Sequence, residues 1–299
     1  MPTTLTLIGR PGSLTPALVD SARAELGARG IITRSEIDWL APAEACDLLL
    51  PDLLPDRLRG RLATRLAPAQ VDAVIQRTEH RRKRLLIADM DSTIITCECL
   101  DELADSVGLK PKISAITERA MRGEIAFEGA LIERVGLLKG LAEKELERVY
   151  KSKVLLTEGA KTLAATMTKN GARCVLVSGG FTYFTSRVAA LAGFQHHQGN
   201  VLEIENGKLT GRVVPPILGQ EAKLAALTSE ARTLGLSLDA TIAVGDGAND
   251  LKMLKAAGLG VAFHAKPKVA AEATAVITYS DLSALLYLQG YRKSEFVSA

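Results

Sequence analysis

The chain has 299 residues, 47% hydrophobic, 24% charged and 4% aromatic, a balance that excludes disordered, collagen-like and disulfide-scaffold proteins. A formal net charge of +3 is too small for a nucleic-acid surface, and the one basic cluster, His80–Arg84, reads as a solvated linker. No run approaches the roughly 18 apolar residues of a membrane span, and the first residues lack a secretory pattern. The sequence therefore predicts a soluble, cytoplasmic protein with neither membrane nor nucleic acid as partner.

The length suggests two units. Residues 1–80 predict a small α/β module. Thr4–Ile8 alternates as a strand, Gly9–Gly12 turns, and Leu14–Leu26 is helical. Strands over Ile31–Leu40 and Cys46–Leu50 follow, then a helix over Asp56–Arg77. This β-α-β-β-α pattern resembles a truncated ferredoxin-like or ACT-type module.

From residue 81 to 299 strand and helix alternate. Leu85–Ala88, Cys174–Val177 and Thr241–Val244 are short apolar runs, as strands covered on both faces are. Leu259–Phe263 and Ala275–Thr278 extend the sheet. Helical patterns over Glu158–Asn170, Thr182–Ala192, Gln220–Leu234 and Asn249–Ala257 complete a doubly wound, Rossmann-like parallel sheet. About 96–152 is helical and charged, too long for an ordinary connection, and predicts an inserted helical cap. About 199–214 carries Asn206-Gly207 between alternating runs, a hairpin signal.

Of the four cysteines, Cys46, Cys97, Cys99 and Cys174, none is needed as a staple in a chain of this size. Cys97-x-Cys99 lacks the spacing of zinc ligands.

Three apolar runs end in polar clusters: Asp89-Met90-Asp91-Ser92-Thr93, Ser178-Gly179-Gly180, and Gly245-Asp246-Gly247-Ala248-Asn249-Asp250. Parallel sheets bind ligands at the carboxyl ends of their strands, so carboxylates, a hydroxyl and glycine amides converge there. Asp89, Asp91, Asp246 and Asp250 could stay ionised together only beside a cation. An oxygen-rich, open site suits Mg²⁺, and a hydroxyl with free amides at a helix start suits phosphate.

DMDST at 89–93, Ser178, Lys223 and GDGANDL at 245–251 resemble the four motifs of the haloacid-dehalogenase superfamily of phosphohydrolases. DMDSTIITCECLDELA, AMRGEIAFEGALIERVGLLKGL at 120–141 and VLVSGGFTYF at 175–184 are similar to the phosphoserine phosphatases within it. The resemblance spans about 85–278 and adds little to the first 80 residues. It implies a Mg²⁺-dependent enzyme that releases serine and phosphate from O-phosphoserine, the last step of serine biosynthesis.

The resemblance assigns roles residue by residue. Asp89 matches the nucleophile that forms an aspartyl-phosphate, and Asp91 the general acid/base. Asp89, the Asp91 carbonyl and Asp246 match the metal ligands, with Asp250 in support. Ser178, Gly179 and Lys223 match the groups around the phosphate oxygens, Gly180 supports them, and Asn249 matches a residue at the substrate. Glu98 and Arg134 match the substrate-binding pair, for ammonium and carboxylate. Met121 and Phe127 match apolar residues lining the cap, and His264 stands where relatives often carry Asn. Two other readings fit the same residues: a phosphotransferase acting on homoserine or a similar alcohol, and an amino-acid-sensing protein with a vestigial site. For the first 80 residues the ferredoxin-like pattern suggests a homodimer contact or serine feedback.

Overall fold

The computed structural model describes residues 3–33, 36–51, 58–121 and 124–298; the side chain of Met121 lies outside that description. Thr3–Ile8 (β1) leads to Pro16–Gly27 (α1), where Thr15 caps the first turn and Pro16 opens it. Asp38–Ala41 (β2), Ala45–Leu50 (β3), Leu58–Leu66 (α2) and Asp72–Arg77 (β4) complete an antiparallel sheet of order β2-β3-β1-β4. The sequence reading misses β4, which it placed within a helix running to Arg77. Pro68 and a left-handed Gln70 (φ 54°) end that helix, and the chain returns as a strand beside β1. The module is thus a full β-α-β-β-α-β unit, not a truncated one. Of the strand expected over Ile31–Leu40, residues 34–35 lie outside the described residues, and among the described ones a strand forms only as β2.

The second sheet has seven strands. Leu85–Ala88 (β5) is followed by the cap helices Cys99–Asp105 (α3), Lys110–Met121 (α4), Phe127–Gly136 (α5) and Lys144–Lys153 (α6). Ala160–Lys169 (α7), Arg173–Phe181 (β6), Thr182–Ala192 (α8), His196–Glu205 (β7) and Lys208–Val214 (β8) come next. Gln220–Thr233 (α9), Thr241–Gly245 (β9), Leu251–Ala256 (α10), Leu259–Phe263 (β10), Pro267–Glu272 (α11), Ala275–Ile277 (β11) and Ala284–Leu288 (α12) complete the fold. The order is β11-β10-β9-β5-β6-β7-β8, parallel except for β8, which forms the expected hairpin with β7.

Alternate side chains of the central strands enter different cores. Leu86 and Ala88 face the core of α7, α8 and α12, while Leu85 and Ile87 face that of α9 and α10. This double burial makes LLIA apolar throughout instead of alternating. From β5 the chain winds outward to β6 and β7, then returns to start again at β9 on the other side of β5. The switch point thus lies between β5 and β9, where such folds open a crevice.

Two paired linkers carry the cap. Thr96 N donates to Leu155 O at 3.0 Å, and Thr157 N to Ile94 O at 2.9 Å. The first sheet docks against the far end of the second unit. The Asp72 carboxylate accepts from the amides of Thr278 (2.8 Å), Tyr279 (3.2 Å) and Ser280 (2.9 Å). Arg81 pairs with Asp47 at 2.6 Å and donates to the carbonyls of Tyr287 and Leu288. Ile8, Ala45 and Val74 of the first sheet join the larger core. Among the described residues no helix is long and apolar enough to cross a membrane.

Candidate active site

The strand ends at the switch point bring the expected residues together. Asp89 follows β5 directly, and its Oδ1 accepts from its neighbour's amide, Met90 N, at 2.8 Å. A tight turn over 90–94 includes Ser92 in the left-handed region (φ 54°), and the Ser92 hydroxyl donates to Glu98 Oε1 at 2.7 Å. Asp91 is held from both sides: Cys99 N donates to its Oδ1 at 2.9 Å and Ser178 Oγ to its Oδ2 at 3.1 Å. Gly180 N in turn donates to Ser178 Oγ at 2.8 Å.

The Gly179-Gly180 pair answers to space. A Cβ on Gly180 would stand 2.9 Å from Asp91 Oδ2, and one on Gly179 3.0 Å from the Phe127 ring. Phe127 at the start of α5 is therefore where the cap touches the irregular carboxyl end of β6.

Lys223, on α9, is fully buried and bridges Asp89 Oδ1 (2.7 Å) and Asp250 Oδ1 (2.6 Å). Asp250 also accepts from Gly247 N at 3.0 Å, and Thr93 Oγ1 donates to Asp246 at 3.4 Å. Asp89, Asp246 and Asp250 each offer a carboxylate oxygen within 4.8 Å of the others. One ammonium contacts two of these three carboxylates, so the oxygen-only donor set fits a hard divalent cation. In this cluster Asp250 supplies the third carboxylate, while the Asp91 side chain is engaged by Ser178 and Cys99. Asn249 is half-buried in the turn after β9, against Gly247.

Burial governs the titration of these groups. It pushes Asp89 well above the usual carboxylate range, reinforced by the charge of Asp250 and opposed by Lys223. Burial also raises Asp91, and burial followed by Asp250 raises Asp246. On Lys223 burial works downward, but Asp250 and Asp89 outweigh it and hold the ammonium above the ordinary lysine value. Glu98 keeps solvent access in the cleft, yet the protein packed around it pushes it up to about 7, with the Asp91 charge next.

Arg134 projects from α5, half-buried, with Nε on Ala130 O at 3.2 Å and Nη1 near Thr117 Oγ1 at 3.5 Å. Burial lowers its pKa, and the charges of Asp101, Glu98 and Asp91 oppose that. The guanidinium thus faces the acidic cleft. His264 is exposed, stacked on Phe263 with Nε2 2.9 Å from Ser280 O.

Sequence reasoning missed Asn200, a buried side chain inside β7. Its Nδ2 donates to Gly179 O (2.7 Å) and Leu218 O (3.2 Å), and its Oδ1 accepts from Leu218 N at 2.7 Å. It ties the carboxyl end of β6, which bears Ser178, to the segment that starts α9 and carries Lys223. A buried amide within a strand was the available signal, since such groups require partners. Ser92 and Thr93, which brace Glu98 and Asp246, were quoted in the motif without a role.

The haloacid dehalogenase-like hydrolase family matches residues 86–255. A phosphoserine phosphatase of Archaeoglobus fulgidus is 50% identical over 198 residues, 66% of this chain and 57% of that protein. One from Albidiferax ferrireducens is 46% identical over 210 residues, 69% of this chain and 89% of that protein. The match therefore spans little more than half the length of the first relative and most of the second. The crystal structure of a probable phosphoserine phosphatase from Vibrio cholerae superposes with a TM-score of 0.78 at 32% identity. It covers 98% of this chain and 88% of its own, so the likeness includes the first sheet as well as the second. With three strand ends, an inserted helical cap and the motif residues in one crevice, this chain belongs to the haloacid dehalogenase-like hydrolase family, and its similarity there runs to phosphoserine phosphatases.

Proposed function

We propose that the chain hydrolyses O-phosphoserine to serine and phosphate through an aspartyl-phosphate on Asp89. The observation that carries this reading is the division of labour between two carboxylates two residues apart. Asp89 is tied to Lys223, while Asp91 is fixed by Ser178 and the Cys99 amide.

Lys223 and Met90 N both engage Asp89 Oδ1, which leaves Oδ2 to attack phosphorus. As the Asp89–phosphorus bond forms, the bond from phosphorus to the seryl oxygen breaks. Asp91, raised by burial and so able to hold a proton, gives it to that oxygen. Asp91 then takes a proton from the water that attacks phosphorus, and Asp89 is released with free phosphate. Ser178, the Gly179 amide and Lys223 gather the equatorial oxygens while charge shifts. Asp89, Asp246 and the Asp91 carbonyl would hold Mg²⁺, with Asp250 in support. When bound, the ion supplies neutralising charge between the carboxylates and the phosphate dianion.

Selectivity belongs to the cap. Glu98 takes the substrate ammonium and Arg134 the carboxylate, with Asn249 and Phe127 closing the pocket beside them. The curated relatives named above carry the same activity in their names, which supports the choice of substrate. Serine biosynthesis is the setting in which this reaction makes sense.

The test is phosphate release from O-phospho-L-serine with Mg²⁺ and with EDTA, beside phosphothreonine, a sugar phosphate and an aryl phosphate. Mg²⁺-dependent preference for phosphoserine is expected. Equal use of the aryl ester would keep the phosphatase and discard the substrate.

A further inference from the structure

We propose that Cys97 and Cys99 are a modification site, closing to a reversible intrachain disulfide by exchange with a small-molecule disulfide such as glutathione disulfide, and that closure silences the adjoining site. The effect on activity rests on the roles given above to Asp91 and Glu98; the formation of the bond does not.

Neither sulfur has a part in the proposed reaction, and the spacing is wrong for zinc, yet the segment that carries them is bonded directly to the site. Ser92 N donates to Cys97 O at 3.3 Å, and Cys99 N to Asp91 Oδ1 at 2.9 Å. Between the cysteines stands Glu98, held by the Ser92 hydroxyl at 2.7 Å. Glu98 is extended (φ −97°, ψ 104°), so its two neighbours project to the same side of the chain while its own carboxylate points to the other. The Cys97 thiol, ahead of burial and the Asp91 charge, pushes the Cys99 thiol well above its ordinary value, as a close neighbour does. Residues two apart on an extended segment lie near the upper end of the Cα separation that a disulfide spans, so closure draws the segment tighter.

Access differs between the two sulfurs in the useful way. Cys97 is half-buried and Cys99 buried, so the first meets a soluble reagent and the second resolves it. The Cys97 thiolate attacks glutathione disulfide and expels one glutathione thiolate, leaving a mixed disulfide. Cys99 then attacks the Cys97 sulfur, and the second glutathione leaves as its thiol, carrying the Cys99 proton. The two protein thiols are oxidised and one glutathione disulfide is reduced to two thiols. Cys46 and Cys174 sit singly and buried on β3 and β6, so neither meets a soluble reagent first. Closure pulls on the segment whose Cys99 amide holds Asp91 and shifts Glu98, which lies inside the new ring.

The full-length protein is treated with glutathione disulfide and followed by intact mass, peptide mapping and phosphoserine hydrolysis. The expected product has lost two hydrogens, with the bond in the peptide that holds both cysteines. Activity falls at least about tenfold, the scale of one lost hydrogen bond to a charged group, and dithiothreitol restores it. Cys97→Ala keeps its activity through the treatment, and Cys99→Ser stops at a glutathione adduct on Cys97. No loss of hydrogens in the wild type, a disulfide with unchanged activity, or equal inactivation of Cys97→Ala would each overturn the proposal. A reduced wild type inert towards phosphoserine would refute the functional reading alone; mass would still decide the bond, and an aryl phosphate would report the inhibition.

Discussion

The strand ends of the large sheet and the seam between the two sheets both bury charge, but they satisfy it differently. At the seam, Arg81 meets Asp47 and two backbone carbonyls, Asp72 meets three amides, and Glu44 meets the Tyr287 hydroxyl and the Lys293 ammonium. At the strand ends, Asp89, Asp246 and Asp250 crowd within 4.8 Å while Lys223 contacts only two of them. Matched charge holds two bodies together, whereas surplus negative charge attracts what is missing. The difference separates a structural polar cluster from a chemical one without reference to any relative.

Mutations can break that contrast. Asp89→Asn should lower phosphoserine turnover by more than about a thousandfold, as loss of a nucleophile does, with a thermal midpoint unchanged or raised because one crowded charge is gone. A large loss of stability would place Asp89 with the seam residues. Arg81→Ala should do the reverse: it strands buried Asp47 and costs about 3–5 kcal/mol in urea unfolding, while activity per folded molecule persists. Arg134→Ala should reduce kcat/KM for phosphoserine by about ten- to a hundredfold and leave a small aryl phosphate nearly untouched. Equal losses on both substrates would make Arg134 a structural residue of the cap.

The smallest effect sharpens the contrast. Mg²⁺ at a hundredfold excess over its Kd should raise the thermal midpoint on the order of 5 °C, and Asp246→Asn should abolish the shift. Its pH dependence follows from the raised carboxyls. Asp89, Asp91 and Asp246 are pushed up by burial, so the metal-free folded chain binds more protons than the unfolded chain above the ordinary carboxylate range. These groups therefore make metal-free stability fall as pH rises, and the Mg²⁺ shift should grow from about pH 5 to about pH 8. Calorimetry with and without EDTA reads both, and a shift that shrinks with pH would count against a carboxylate-held ion.

Much of the site was legible because each group ends a strand. A run buried on both faces followed by Asp89, Ser178 or Asp246 marks its own end, and β5 and β10 lie where their apolar runs do. β4 was hidden because Leu58, Leu62 and Leu66 set a helical period that Ala69 and Ala73 continue; Pro68 was the only local sign of the break. Asn200 escaped because its partners, Gly179 and Leu218, lie in two other segments. The seam was out of reach for the same reason at greater range: Asp72 finds its amides 206 to 208 residues away.

That separation has a consequence for biosynthesis. The first sheet leaves the ribosome some 200 residues before the segment that will cover Asp72, given the 206 positions between it and Thr278. At roughly 5–20 residues per second, the sheet waits on the order of ten seconds or more with Asp72 and the Ile8, Ala45 and Val74 face uncovered. Nascent chains of this protein therefore present a sticky, half-finished surface until the segment around Thr278 has been made, and a chaperone acting on it would meet that face first.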